Sequence, residues 1–152
     1  MNRTKDTNPK DAFGVRKWRQ LCVIPFTVMW ELGVAMLEGG LKYGRHNYRA
    51  AGVRASVYVD AAMGHIMSFW EGEDLDPDSS AKLSHITKAI ASLTVLRDAM
   101  IQDMWTDDRP PKTNLPELSA SLQTSVEALM DEFPDPKLPV TALNRDTYFD
   151  LS

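Results

Sequence analysis

Cysteine is almost absent. Cys22 stands alone among 152 residues, so neither an internal disulfide framework nor a four-cysteine zinc site can form, and a reducing, cytoplasmic setting is expected. No apolar run approaches the roughly 18 residues that cross a bilayer, and Met1 to Lys10 is polar, without a signal-peptide core. No membrane partner is expected. The chain also lacks a GxxxxGK[ST] phosphate loop, a GxSxG elbow and an HExxH zinc helix. Its 3 histidines include no His-Asp dipeptide, which counts against the metal phosphohydrolases built around that pair. Asp74, Asp76 and Asp78 have calcium-loop spacing, but Ser79 stands where that loop needs glycine and His85 where it needs glutamate.

What remains is an ordinary globular composition, 43% hydrophobic and 25% charged, which excludes wholesale disorder. The net charge of −4 hides an asymmetry. Residues 1–54 hold ten Lys/Arg against four Asp/Glu (+6), and residues 55–152 hold seven against seventeen (−10). A basic patch facing a carboxylate cluster suits a phosphate ligand held through metal ions; dipolar surface charge is the plainer reading. A pI of about 5.3 argues against stable nucleic-acid binding.

Hydropathy patterning predicts an all-α chain of about four helices, a bundle with an extended N-terminal arm and a C-terminal tail. Residues 1–12 read as a flexible leader, 13–133 as a single helical domain and 134–152 as an extended tail with Pro134, Pro136 and Pro139. Within the domain, 13–24 reads as a short strand or packing arm. A first helix is expected from Phe26 to about Glu38, stopped by Gly39-Gly40, and a loop follows over 41–52. The second helix is expected from Val53 to Glu71. The third is capped by Asp78 or Ser79 and carries the stripe Leu83, Ile86, Ile90, Leu93, Arg97, Met100 and Met104. The fourth runs from about Pro116 to Phe133, with Leu118, Leu122, Val126 and Leu129 on one side.

Several carboxylates stand in awkward places. Glu31 and Glu38 are seven apart, about 20° around the first helix, and share a face with apolar residues. Asp60 has Val57 and Met63 as helical neighbours. If the first two helices pack as an antiparallel hairpin, Asp60 falls between the levels of Glu31 and Glu38, and three carboxylates form a hard-oxygen site for Mg²⁺ or Mn²⁺. Each acid alone reads equally as a salt-bridged or solvated residue. Glu71, Glu73, Asp74 and Asp76 form a second cluster, either a solvated turn or part of the same site by folding back or through a neighbouring subunit. The loop around Lys42, Arg45, Asn47 and Arg49 is the phosphate-binding candidate, combining cations with glycine and hydrogen-bonding side chains. His65 and His85 read as structural histidines.

The runs Glu38-Gly-Gly-Leu-Lys-Tyr-Gly-Arg-His-Asn-Tyr-Arg49, Tyr58-Val-Asp60-Ala-Ala-Met-Gly-His65 and Gly72-Glu-Asp-Leu-Asp-Pro-Asp-Ser79, with His85, resemble the phage dATP/dGTP diphosphohydrolase family. That family is related to the MazG-like all-α nucleotide pyrophosphohydrolases, and the MazZ branch looks similar again. The resemblance spans roughly residues 13–105. It implies a Mg²⁺- or Mn²⁺-dependent enzyme with two or three ions per site, acting as a dimer or tetramer. Such an enzyme cuts a purine (deoxy)nucleoside triphosphate, dGTP or GTP for preference, between the α and β phosphates, in the MazZ branch to feed 2-aminoadenine DNA synthesis. It implies Glu38 and Asp60 as catalytic residues, Glu31, Glu38, Asp60, Glu73 and Asp76 as metal ligands, and Lys42, Arg45, Asn47 and Arg49 as substrate-binding residues. MazG relatives carry E-x-x-E and E-x-x-D pairs; here Ala35 and Val57 stand at two of those positions, and Lys88 stands where relatives often have a second histidine. The alternatives are a dUTP/dCTP pyrophosphatase and a non-enzymatic helical interaction protein.

Overall fold

Pro25 has no amide hydrogen to lose and sits at the N-cap of a helix, so the chain turns helical immediately after it. A computed structural model describes residues 18–146. Its regular elements are α1 (Phe26–Tyr43), the single turn α2 (Tyr48–Ala51), β1 (Val53–Arg54), α3 (Ala55–Trp70), α4 (His85–Ile101), β2 (Trp105–Thr106) and α5 (Leu115–Glu132). The expected leader, and residues 13–17 of the expected arm, lie outside the described residues. Residues 21–23 of that arm form a 3-10 turn rather than a strand. The all-α expectation holds; among the described residues β1 and β2 form a two-residue parallel pairing beside the helices, and Leu75 and Ser84 an isolated antiparallel bridge. No helix among the described residues is long and apolar enough to cross a membrane.

The chain divides into two compact units, residues 1–109 and 110–152, and the expected helical domain of residues 13–133 spans their boundary. In the second unit α5 has no buried residue, and residues 134–146 carry no helix or strand.

In the first unit α4 is central, and α1, α2 and α3 all pack on it. The core is made of small side chains. Ala55 and Ala62 of α3, Ala89 and Ala99 of α4 and Ala35 of α1 are buried, with Leu96, Tyr48 and Val53. Alanines at such contacts let helix axes approach closely. The stripe expected to be α4's core face is only partly inward: Leu83 is buried and Met100 packs on the core, but Ile86 and Leu93 are exposed, while His85, Thr87, Ala89, Leu96 and Ala99 are buried. Counting large apolar residues misplaces the face because much of the contact is built from alanine.

Three boundaries also differ. α1 runs through Gly39-Gly40 to Tyr43, ending only where Gly44 takes φ +94° and its amide hydrogen-bonds to the Gly40 carbonyl. Gly40 serves packing: a Cβ there would lie 3.0 Å from Arg45 Cγ. The cap of α4 is Ser84, whose Oγ accepts from the Ile86 amide at 3.1 Å, not Asp78 or Ser79. Those two residues are occupied in a turn around Asp76, whose Oδ1 accepts from the Asp78 amide at 3.0 Å. At the start of α3, Asp108 reaches back across 52 residues: its Oδ1 accepts from the Ser56 amide at 2.9 Å and its Oδ2 from Ser56 Oγ at 2.5 Å. A distant carboxylate thus satisfies a first-turn donor and complements the helix dipole.

Candidate functional site

α1 and α3 each pack chiefly on α4, and the space between them is a cleft of about 710 Å³. This replaces the expected two-helix hairpin. The segment 44–54, with the turn α2 and strand β1, holds the helices apart, and Gly33, Gly39 and Gly40 present no side chain on the α1 wall. Val57, Tyr58, Ala61 and His65 form the α3 wall, and Lys88, Ser92 and Val95 form the floor from α4. The volume falls in the range of small-molecule sites, about 300–1,000 Å³.

A charged cluster adjoins the cleft through Lys42 and Lys88 of its lining. Glu38 accepts from Lys42 Nζ at 2.6 Å, from Ser79 Oγ at 2.9 Å and from Lys88 Nζ at 3.0 Å. Lys42, then Lys88 and Ser79, hold its carboxyl well below the usual range, at about 2, against the opposing effect of burial. Lys88 Nζ also lies 3.6 Å from Asp76 Oδ2, so one ammonium bridges two carboxylates from distant parts of the chain. Asp76 and Ser79 are both buried there. The loop 71–84 therefore folds back onto α1, one of the alternatives the sequence leaves open. Its return is fixed by backbone bonds from the Asp76 amide to the Leu83 carbonyl (2.8 Å) and from the His85 amide to the Asp74 carbonyl (3.0 Å).

The other expected ligands lie elsewhere. Glu31 Oε2 accepts from Thr87 Oγ1 at 2.5 Å, tying α1 to α4. Glu73 Oε2 lies 3.1 Å from His85 Nε2. Asp60 is exposed on α3, roughly a third of a turn around the helix from the wall formed by Val57, Ala61 and His65. Among the described residues Asp60 makes no hydrogen bond or ion pair, and no group of three or more His, Cys, Asp or Glu is placed to hold a metal ion. The structure thus brings Glu38 and Asp76 together and does not bring Glu31, Glu73 and Asp60 to the same point.

Of the expected substrate-binding residues, Lys42, Arg45 and Asn47 line the cleft. Arg49 is engaged in a two-pronged pair with Asp98, Nε to Oδ2 and Nη2 to Oδ1, each 2.7 Å, which ties α2 to α4. The same lining is also aromatic and apolar, with Tyr43, Tyr48, Tyr58, Met36 and Val95. Burial pushes the Tyr58 hydroxyl up, so that it stays a neutral hydrogen-bonding group.

Sequence reasoning missed Ser79, Thr87 and Lys88 as partners of the acids, and Tyr58 and His65 as cleft residues. The helical spacing of Val57, Ala61 and His65 is the signal that could have found the α3 wall. The bonds to Glu38 span 41 and 50 residues and leave no local trace.

Searches of curated proteins and of solved structures find no match. The sequence pattern of the dATP/dGTP diphosphohydrolase family, N-terminal, matches residues 7–109, which include every element of the cleft. A cleft lined by a cationic loop and aromatic rings, with Glu38 and Asp76 joined through its Lys88, is coherent with a nucleotide site, and the chain belongs to the dATP/dGTP diphosphohydrolase family through its N-terminal domain.

Proposed function

We propose that the protein hydrolyses a purine (deoxy)nucleoside triphosphate, dGTP or GTP for preference, between the α and β phosphates to give the monophosphate and pyrophosphate. The observation that carries this reading is the lining of the cleft, which combines cationic and amide groups with aromatic rings. Lys42, Arg45 and Asn47 suit phosphate oxygens, and Tyr43, Tyr58 and Val95 suit a base and sugar. A product feeding 2-aminoadenine DNA synthesis in a phage belongs to the same proposal.

A divalent ion, Mg²⁺ or Mn²⁺, fits the charged cluster beside the cleft. Glu38 and Asp76 already share one cation, the Lys88 ammonium, and both offer hard oxygens. Mg²⁺ is commonly held by one or two carboxylates together with substrate phosphates, and a lysine stem is flexible enough to yield that point. When bound there, the ion would neutralise phosphate charge and acidify a coordinated water. Glu38 and Asp76 would hold it, Lys42 and Arg45 would orient the triphosphate, and Lys88 would turn to the phosphates.

The same reading includes self-association. Trp30, Val34, Leu37 and Leu41 on α1 and Val59, Met63, Ile66 and Trp70 on α3 recur at identical helical spacing, and all eight are exposed. Two such stripes in one small unit suit burial against a second copy of the chain.

The test is separation of products after incubation with each dNTP and NTP and Mg²⁺ or Mn²⁺. Monophosphate and pyrophosphate from dGTP support the proposal. Product from dUTP or dCTP alone replaces it with the pyrimidine reading, and no product from any nucleotide replaces it with the interaction-protein reading. Glu38→Gln and Asp60→Asn, assayed beside the wild type, separate the two acids. Loss in Glu38→Gln alone supports the Glu38–Asp76 site, and loss in both restores Asp60 to it.

A further inference from the structure

A chain of three side chains runs from the loop after α3 into the cleft. Glu73 Oε2 lies 3.1 Å from His85 Nε2, and His85 Nδ1 lies 2.8 Å from His65 Nδ1. His85 is buried, with 4% of its surface exposed, whereas His65 is half-buried and lines the cleft. The assignment of protons follows from Glu73. A carboxylate only accepts, so His85 Nε2 carries the proton and donates to it. With one proton on His85, its Nδ1 is bare and must accept, so His65 donates from its own Nδ1. That leaves His65 Nε2 as an unprotonated lone pair. Both ring planes are fixed, tilted 42° with centroids 5.1 Å apart.

We infer that His65 is the general base of the hydrolysis, with His85 and Glu73 as positioning residues that fix its tautomer. The inference rests on the function proposed above and deepens it. In the step, the oxygen of a water forms a bond to the α-phosphorus and one of its protons passes to His65 Nε2. The bridging P–O bond breaks and its electron pair leaves with pyrophosphate. The His65 proton returns to solvent after product release. Charge developing on the imidazolium is relayed to Glu73 through His85, the role that a carboxylate plays behind a catalytic histidine. The groups around His65 agree with a base. Burial, with His85 and Lys88, lowers its pKa, while Asp76 and Glu38 pull the other way, and the result lies below the ordinary value. It is neutral at pH 7.

The sign of the pH dependence is fixed by this. Turnover falls as pH drops through the His65 pKa, because protonation removes the lone pair. In His65→Gln, kcat for dGTP should fall about 100-fold or more with KM within about threefold, and that acid limb should disappear. In Glu73→Gln, kcat should fall about tenfold with KM held and the limb displaced to lower pH, because the relay has lost its negative charge. Retention of wild-type kcat and acid limb by folded His65→Gln overturns the inference while leaving the hydrolase reading intact. An inactive wild type overturns that reading and this one with it. Should His65→Gln fail to fold, ¹⁵N imidazole spectra of the wild type decide: an unprotonated Nε2 on His65 at neutral pH supports the inference, and a protonated one overturns it.

Discussion

Glu38 concentrates the charge chemistry of the molecule. Its carboxyl, held near 2 chiefly by Lys42, ionises far more readily in the folded chain than in the unfolded one, where a value of about 4.5 applies. A depressed pKa stabilises the fold at pH values above the unfolded one, and that contribution is lost as pH falls through the folded one. Stability should therefore decline between about pH 4.5 and 2, and Glu38→Gln should flatten that part of the curve in thermal melts followed against pH. The same variant should lose about 100-fold or more in turnover if Glu38 holds the divalent ion. Gly52 is a second decisive residue. It stands at φ +74°, ψ 175°, a conformation essentially confined to glycine, and a Cβ there would come within 3.1 Å of the Met104 carbonyl oxygen. Gly52→Ala should cost about 1–3 kcal/mol in chemical denaturation, because the backbone at Met104 accepts from Val53 and cannot easily retreat. Neither role could be read in full from neighbouring residues: Lys42 is one turn from Glu38, but Ser79 and Lys88, and Met104 against Gly52, arrive from 41 to 52 positions away.

The helices show which parts of the fold the sequence carries locally. α5 matches its expected span of 116–133 to within a residue at each end, because Pro116 in its first turn and Pro134 just past it frame an uninterrupted run of helix formers. α1 overruns its expected end at Gly39-Gly40, since two glycines weaken a helix by about 0.5–1 kcal/mol each without ending it when packing on α4 supplies more. α4 starts later than expected and turns inward a face about 100° from the expected stripe, because alanine contacts with α3 and α1 outweigh the pull of its larger apolar residues. That packing predicts a sharp response at Ala99, which is fully buried. Ala99→Leu should destabilise the chain by about 1–3 kcal/mol, whereas Leu93→Ala on the exposed stripe should cost the isolated protomer far less, both measured by urea unfolding. At the start of α3, Asp108→Ala should lower the melting temperature by removing acceptors from the Ser56 amide and hydroxyl.

At the scale of the molecule, the exposed stripes of α1 and α3 predict an assembly. Sedimentation should find the wild type larger than a protomer, and the double substitution Met63→Lys with Ile66→Glu should shift it toward monomer by adding charge on one face of α3. The division of the chain after Arg109, together with the family match ending there, predicts that a chain of residues 1–109 keeps nucleotide hydrolysis. A truncated chain that is folded but inactive would show that residues 110–152 contribute to the site.

The sequence by itself determined that the chain is helical, that its acids and bases are segregated, and that the segment from Glu38 to Arg49 carries cations suited to phosphate. Those properties are local: they depend on spacing, on capping and turn residues, and on charge along a few turns of chain. Which face of each helix is inside, which acids meet and which are diverted was decided only by tertiary structure. Alanine packing on α4 opened a cleft where a hairpin was expected, and the return of loop 71–84 carried Asp76 and Ser79 to Glu38. The same fold left Asp60 exposed and set two histidines and Glu73 in a hydrogen-bonded line that ends at the cleft lining. The physical reason is that a carboxylate's chemistry depends on the charges within a few ångströms of it, and here those charges are brought together by the fold rather than by the chain.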